Sequence, residues 1–220
     1  MIVIIKDVLT ADECDAIVEQ IASMRFRDGT RTAGWHARLV KDNEQLDRMQ
    51  SGYASLSDKL SQAIMASPEF TAACRPRHMT KLLLSRYSDG MQYGSHIDEP
   101  FIQNIRSDVS FTLWLADPAS YDGGELIIET AGLDSGYKLN RGELIAYDST
   151  RLHRVAPVTR GERICAVGWA QSKVRDPAQR EILHELGSAS RALFDREGKT
   201  REFDLIVKSH ANLLRMWADG

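Results

Sequence analysis

Short apolar or alternating runs, separated by Gly, Asp, Asn and Pro, fill the sequence from residue 81 to about residue 170. Such runs are typical of strands and turns. Because no long helical pattern interrupts them, we expect mainly antiparallel sheets, and two packed sheets in a barrel or jelly roll are the economical arrangement. The predicted strands cover residues 81–87, 109–115, 125–129, 137–139, 143–147 and 163–169.

Helical patterns stand on both sides of this region. Thr10 and Glu13 form a capping-box signature, after which apolar residues recur at helical spacing. A second helical pattern runs from Leu46 to Ile64 and ends before Pro68, and the helical period returns after Asp176. The sequence therefore predicts a mainly β fold with flanking helices: an N-terminal helical part over 1–78, a β core over 79–176 and a C-terminal helical segment over 177–220.

Composition and charge exclude several classes of protein. Of the 220 residues, 43% are hydrophobic, which is enough for a core, and the net charge of −3 offers no broad attraction for nucleic acid. No apolar run approaches the roughly 18 residues of a membrane-spanning helix. The N-terminus shows neither a basic leader nor a cleavage site. We expect a cytoplasmic protein with no membrane segment and no nucleic-acid partner.

The three cysteines, Cys14, Cys74 and Cys165, suggest neither a disulfide framework nor a zinc site.

His96 and Asp98 are the first candidates for chemistry. Residues i and i+2 of a strand share a face, so this pair can present an imidazole and a carboxylate to one point. Chance alone accounts for one such pair in a chain with six His and 31 acidic residues. A second histidine, His153, lies near another strand end, and Arg163 opens the final strand. Together these residues indicate a metal site better than any one of them.

Strand alternation sets Arg163 on the same face as Cys165, Val167 and Trp169. If that face lines the barrel, a guanidinium lies inside it, where either a structural ion pair or a bound carboxylate would balance its charge. Two histidines and one carboxylate leave three positions of an octahedral Fe(II) open, enough for a 2-oxo acid and dioxygen. Arg suits the far carboxylate of such a cosubstrate because it donates in a bidentate geometry.

Several spaced blocks of sequence now carry a resemblance. The chain resembles, nearly end to end, the PKHD-type hydroxylases, which are bacterial relatives of the prolyl 4-hydroxylase branch of Fe(II)- and 2-oxoglutarate-dependent oxygenases. The blocks are Ser-Arg-Tyr at 85–87, Tyr-Gly-Ser-His-Ile-Asp at 93–98, Asp-Pro at 117–118 with Tyr-Asp-Gly-Gly-Glu-Leu at 121–126, Leu-His at 152–153 with Pro-Val-Thr-Arg-Gly-Glu-Arg at 157–163, Gln-Ser at 171–172 and Arg-Asp at 175–176.

The resemblance implies a double-stranded β-helix, or cupin-like jelly roll, with Fe(II) bound by His96, Asp98 and His153. It further implies that Arg163 binds the distal carboxylate of 2-oxoglutarate and that Tyr87 donates a hydrogen bond to this cosubstrate. The reaction would then be hydroxylation coupled to decarboxylation of 2-oxoglutarate to succinate, with dioxygen as a substrate and L-ascorbate as an optional cofactor. A carboxylate at Asp98 favours hydroxylation over halogenation.

Other interpretations stay open at this stage. Tyr87 fits a core residue with a satisfied hydroxyl as well as a ligand. A non-catalytic iron or 2-oxoglutarate sensor is the alternative function, and a cupin-like isomerase is a weaker one. Residues 99–101, Glu-Pro-Phe, depart from the family pattern, so the substrate could be a small molecule or a peptide. The amphipathic helix that carries Trp217 would suit a homodimer.

Overall fold

The computed structural model describes residues 1–219 and contains two large antiparallel sheets, two short two-stranded sheets and five α-helices. The helices are α1 (Ala11–Ala22), α2 (Tyr53–Ala66), α3 (Pro68–Cys74), α4 (Pro177–Glu197) and α5 (Arg201–Trp217). The strands are β1 (Ile2–Ile5), β2 (Phe26–Asp28), β3 (Lys41–Asp42), β4 (Glu44–Leu46), β5 (Pro76–Met79), β6 (Leu83–Tyr87), β7 (Gln92–His96), β8 (Phe101–Ile102), β9 (Ile105–Arg106), β10 (Val109–Trp114), β11 (Asp122–Gly123), β12 (Leu126–Ile128), β13 (Ser135–Tyr137), β14 (Leu144–Asp148), β15 (His153–Val155), β16 (Val158–Arg160) and β17 (Arg163–Ser172).

The larger sheet has the strand order β1-β14-β10-β17-β6-β4-β2, with β5 paired to the far end of β17. The second sheet has the order β13-β12-β15-β7-β3. Every strand pair in both sheets is antiparallel. The central strand β10 is buried along its whole length because it lies between β14 and β17 and is covered on both faces. The predicted mainly β jelly-roll fold with flanking helices is confirmed.

The N-terminal part contributes strands as well as helices. β1, β2 and β4 join the larger sheet, and β3 pairs with β7 at the edge of the second sheet. Val3 and Ile5 of β1 are buried, while Ile4 between them is exposed. These strands are two to four residues long. Runs this short carry too little alternation to be recognised, so the sequence predicted only the helices of this region.

The first helix has the predicted start, whereas the second begins later than predicted. The Glu13 amide donates to the Thr10 hydroxyl at 3.2 Å and the Glu13 carboxylate accepts from the Thr10 amide at 2.9 Å, which is a capping box. The helical pattern read from Leu46 is wrong for its first residues, because Leu46 ends β4. Gly52, with φ of +88°, reverses the chain, and α2 begins at Tyr53.

The C-terminal helix α4 packs on α3 and is joined to the larger sheet by Arg180. Arg180 of α4 is fully buried and donates to the carboxylate of Asp148 at 2.6 Å and to the carbonyl of Val174 at 3.0 Å. Helix α5 packs on α4 and has no fully buried residue. Among residues 1–219, no helix combines the length and apolarity that crossing a bilayer requires.

Candidate iron and 2-oxoglutarate site

Strand pairing brings the two histidines together. His96 is the last residue of β7 and His153 the first of β15, and the antiparallel register sets them directly opposite each other. Their ring centroids are 4.3 Å apart. Asp98 lies two residues beyond the end of β7, so it reaches the site from a loop and not from the strand face that the sequence suggested. One ligand atom of each of the three residues lies within 4.8 Å of the others.

Backbone carbonyls fix the orientation of both imidazoles. The Nδ1 atom of His96 lies 2.8 Å from the carbonyl oxygen of Gly94, and that of His153 lies 3.0 Å from the carbonyl oxygen of Arg151. A carbonyl oxygen only accepts, so each Nδ1 carries the proton and each Nε2 keeps its lone pair. This arrangement is the one in which histidine binds a metal through Nε2.

Burial also keeps the first ligand neutral. Burial, with a smaller contribution from the neighbouring His153, lowers the pKa of His96 to about 4. A neutral imidazole is the form that coordinates metal. The site is therefore ready to accept a cation at neutral pH without first losing a proton from His96.

Two serines support the carboxylate of Asp98. The Ser110 hydroxyl donates to Asp98 Oδ2 at 2.5 Å, and the hydroxyls of Ser110 and Ser149 are 2.7 Å apart. Each hydroxyl carries one proton, so Ser149 donates to Ser110 while Ser110 donates to Asp98. The same carboxylate oxygen lies 3.8 Å from Nε2 of His153. The serines thus hold the carboxylate beside the histidines.

These ligands line a cavity of about 240 Å³ between the sheets. Arg163, Val167 and Trp169 of β17 line it too, so the alternation read from the sequence turns this face inward. Arg163 is 1% exposed. Its Nη1 contacts Sγ of Cys165 at 2.9 Å, and its Nε has no hydrogen-bond partner. Within residues 1–219 no carboxylate forms an ion pair with this guanidinium, so the structural ion pair left open by the sequence is not found.

Tyr87 lies opposite Arg163 in the register of β6 and β17. It lines the cavity, is 4% exposed and holds its ring 5.2 Å from the guanidinium carbon of Arg163. Burial raises the pKa of its hydroxyl above the usual range, so the group stays protonated and can donate a hydrogen bond. Tyr87 and Arg163 therefore lie next to each other in the cavity wall.

Several residues of the cavity were not anticipated from the sequence. Tyr93 stacks on His96 with ring centroids 3.6 Å apart, and Lys41 and Gln45 reach the cavity from the N-terminal strands. Tyr93 and His96 are three residues apart, so regular strand alternation would place them on opposite faces and gave no hint of the first contact. The register of β7 against β15 shifts between these two residues. The other histidines stay outside the group of ligands: His36 lies 3.8 Å from Glu99, and His210 contacts Arg75.

Comparisons with known proteins agree with this geometry. The model of the 2OG-Fe(II) oxygenase superfamily matches residues 82–171. A PKHD-type hydroxylase of Acaryochloris marina is 51% identical over 219 residues, which cover 100% of both chains. The chain belongs to the PKHD-type hydroxylase family. A member from Picosynechococcus sp. is 47% identical, and the match covers 98% of each chain. A member from Maricaulis maris is 45% identical, and the match covers 100% of each chain.

Solved structures support the fold of this PKHD-type hydroxylase. A prolyl-4-hydroxylase of Pseudomonas putida superposes with a TM-score of 0.53 and 22% identity, over 78% of this chain and 92% of that one. A Trichoplax adhaerens prolyl hydroxylase, solved with a hypoxia-inducible-factor peptide fragment, gives a TM-score of 0.54 and 17% identity over 82% and 86% of the two chains. The family membership and the three grouped ligands make the protein an Fe(II)- and 2-oxoglutarate-dependent oxygenase of the hydroxylase type.

Proposed function

We propose that this hydroxylase binds Fe(II) through His96, Asp98 and His153 and binds 2-oxoglutarate through Arg163 and Tyr87. The observation that carries the proposal is the guanidinium of Arg163, buried in the cavity wall without a carboxylate partner. An uncompensated buried charge is costly, and a dicarboxylate cosubstrate would supply the missing anion. The substrate then binds in the remaining part of the cavity and is hydroxylated there.

The residues present suit these two groups. Two imidazoles with free Nε2 atoms and one carboxylate are the donor set of the non-haem Fe(II) oxygenases, and the three ligand atoms already lie within 4.8 Å of one another. The unpartnered Nε of Arg163 fits a bound carboxylate. Iron bound here supplies the activation of dioxygen and of the 2-oxo acid.

The protein itself supplies position, charge and exclusion of water. Arg163 fixes the far end of 2-oxoglutarate by charge-assisted hydrogen bonds, and the protonated hydroxyl of Tyr87 donates to the same carboxylate. Ser110 orients Asp98, and the carbonyls of Gly94 and Arg151 orient the imidazoles. Burial of His96, His153 and Arg163 keeps bulk water from the reacting atoms.

We infer further features that bear on assay design. A reductant such as L-ascorbate would keep the iron in the Fe(II) state between turnovers. We infer a cytoplasmic location. The net charge of −3, with no basic excess, supports the absence of a nucleic-acid partner. A homodimer would bury Leu205, Val207 and Met216, the large apolar residues that α5 exposes. The peptide fragment bound to the Trichoplax relative supports testing peptides beside small molecules.

Succinate formation tests the proposal directly. The protein, purified without oxygen, is incubated with Fe(II), L-ascorbate and 2-oxoglutarate, oxygen is admitted, and succinate is quantified for wild type, His96→Ala and Arg163→Ala. His78→Ala and Arg196→Ala change exposed residues of the same types outside the cavity and are the matched controls. We expect succinate from wild type and controls and none above background from the two site variants.

Binding measurements distinguish the remaining outcomes. If wild type binds Fe(II) and 2-oxoglutarate but forms no succinate with any substrate offered, the non-catalytic sensor replaces the oxygenase activity. If neither ligand binds, the assignment of the site is wrong. If Arg163→Ala binds 2-oxoglutarate as tightly as wild type does, the proposed role of Arg163 is wrong even where succinate forms.

A further inference from the structure

Lys41 places an ammonium group in the cavity without a counter-ion. It lies in β3 opposite Tyr93 of β7, is 8% exposed and lines the cavity. Its Nζ donates one hydrogen bond, to the hydroxyl of Thr32 at 3.1 Å, and no carboxylate in residues 1–219 forms an ion pair with it. Burial lowers the pKa of Lys41 to about 8, and the more distant carboxylates of Asp98 and Asp28 offset that effect only in part.

The position of Lys41 relates it to the iron ligands. Its Nζ lies 4.9 Å from the centroid of the Tyr93 ring, and that ring stacks on His96 at 3.6 Å with an angle of 15° between the planes. The ammonium and the imidazole of His96 therefore both contact the ring of Tyr93. A molecule held at Lys41 would lie in the same cavity as the proposed iron ligands.

With Fe(II) and 2-oxoglutarate bound, the formal charges of the buried groups would leave one positive charge without a balancing anion. Fe(II) and the 2-oxoglutarate dianion cancel, and Asp98 cancels Arg163, so the ammonium of Lys41 is left over among the buried groups. Glu99 and Arg48 also line the cavity, but both are exposed and Glu99 lies beside His36. A buried positive charge near a substrate site is best balanced by an anion that arrives with the substrate.

We propose that Lys41 binds a carboxylate of the primary substrate, so that the hydroxylated molecule is a small carboxylic acid or a chain end that carries one. This inference rests on the proposed function and names the substrate class of the same site. Thr32 holds the ammonium in place, because its hydroxyl accepts from Lys41 and contacts Oε1 of Gln45 at 2.7 Å. Iron and 2-oxoglutarate bind elsewhere in the cavity and leave this cation for the third ligand.

Acetate is the probe that tests the anion site, with acetamide as its neutral counterpart. Under anaerobic conditions the protein is loaded with Fe(II) and 2-oxoglutarate, and the paramagnetic relaxation of the probe's methyl protons is titrated for wild type, Lys41→Gln, Lys41→Arg and the exposed-site control Lys59→Gln. We expect saturable relaxation of acetate but not acetamide in wild type and Lys59→Gln. Lys41→Gln should weaken acetate binding about tenfold or more, and Lys41→Arg should retain most of it.

Each other outcome is decisive. Acetate relaxation that is absent in wild type, or unchanged in Lys41→Gln, overturns the proposal, because the probe then binds nowhere or binds the iron itself. If Lys41→Gln does not fold, the side-chain nitrogen resonance of Lys41 in wild type answers the question: it must shift with acetate and not with acetamide. A wild type that passes this test but fails the succinate assay contradicts the proposed function and leaves the anion site intact.

Discussion

At the scale of single residues, the carboxylate of Asp98 depends on a neighbour that is not a ligand. Asp98 lies beyond the end of β7, outside the strand pairing that fixes His96, and the hydrogen bond that Ser110 donates at 2.5 Å orients its side chain. Ser110 is 1% exposed and belongs to the fully buried strand β10. A buried strand thereby fixes the proposed ligand, which belongs to a loop.

Ser110→Ala should therefore weaken Fe(II) binding by about 10- to 100-fold, the usual effect of removing a hydrogen bond to a metal ligand. Binding is measured by anaerobic titration of the metal-free protein. Ser149→Ala is the matched variant, because it removes the next hydroxyl and leaves the bond from Ser110 to Asp98 intact, and its effect should be smaller. Equal effects of the two substitutions, or none from Ser110→Ala, would contradict this account.

The low pKa of His96 makes the stability of the metal-free protein depend on pH. The folded state keeps His96 neutral down to about pH 4, whereas the unfolded chain protonates it near pH 6.5. Between these values the unfolded state binds more protons, so the free energy of unfolding falls as the pH falls through this window. The contribution of this residue is on the order of 2 to 3 kcal/mol.

Denaturant unfolding of metal-free wild type and His96→Gln at pH 7 and pH 4.5 measures this contribution. The wild type should lose more stability than the variant between the two pH values, since only the wild type has the buried imidazole. The acidic residues are the same in both proteins, so their titration cancels when the change in the free energy of unfolding of the variant is subtracted from that of wild type. Parallel pH profiles would show that His96 is protonated as readily in the folded state as in the unfolded chain.

At the scale of elements, the long buried strands were predictable and the short ones were not. The runs at 83–87, 109–114 and 163–172 stand out by their apolar content, and the inward face of β17 follows from alternation. The strand β15 that holds His153 has three residues, and β7 that ends at His96 is mostly polar. The histidines could be found through the motif, but the pairing that joins them depends on contacts between distant segments.

A glycine between β11 and β12 positions the arginine of β17. A Cβ added to Gly124 would lie 2.9 Å from Cδ of Arg163 and 2.9 Å from Cγ2 of Val158, and the residue has φ of +70°. Gly124→Ala should therefore displace Arg163 and raise the concentration of 2-oxoglutarate required for half-maximal binding by about tenfold. The backbone strain of about 1–2 kcal/mol comes in addition.

Gly90→Ala separates these two effects. Gly90 has φ of +82° and no atom within 4 Å of the added Cβ, so alanine there brings backbone strain without touching Arg163. Both variants should melt at lower temperature than wild type, but only Gly124→Ala should bind 2-oxoglutarate more weakly. Weaker binding in both would mean that strain alone disturbs the site, and unchanged binding in both would remove Gly124 from the account of cosubstrate recognition.

At the scale of the whole molecule, segments far apart in sequence meet at one cavity. β3 delivers Lys41, β7 and β15 deliver the histidines, and β17 delivers Arg163. Sequence periodicity does not reveal which edge strand pairs with β7, so the N-terminal wall of the cavity could not be predicted from the chain alone. Asp148 connects a further segment, because it ends β14 beside Ser149 and pairs with Arg180 of α4 at 2.6 Å.

The two C-terminal helices should therefore contribute unequally to stability. α4 buries Arg180 and Leu183, and its removal would take this guanidinium from Asp148. Asp148 would keep the N-terminal ammonium of Met1 at 2.6 Å, so the loss from the ion pair should be smaller than the roughly 3–5 kcal/mol of a buried charge left alone, and the loss of the packing of Leu183 comes in addition. α5 has no fully buried residue, and deleting it removes chiefly its packing on α4 and the contact of His210 with Arg75. A chain ending at residue 199 should thus stay folded, whereas one ending at residue 176 should be destabilised strongly.

Denaturant midpoints of the two truncated chains, of Arg180→Met and of wild type measure this difference. The chain ending at residue 176 and Arg180→Met should both unfold at a clearly lower denaturant concentration than wild type, because both remove the arginine that pairs with the Asp148 carboxylate. The chain ending at residue 199 should keep most of the wild-type midpoint and bind 2-oxoglutarate. A chain ending at residue 176 that unfolds like wild type would mean that the larger sheet is stable without its helical cover, and that the ion pair orients α4 without stabilising the core.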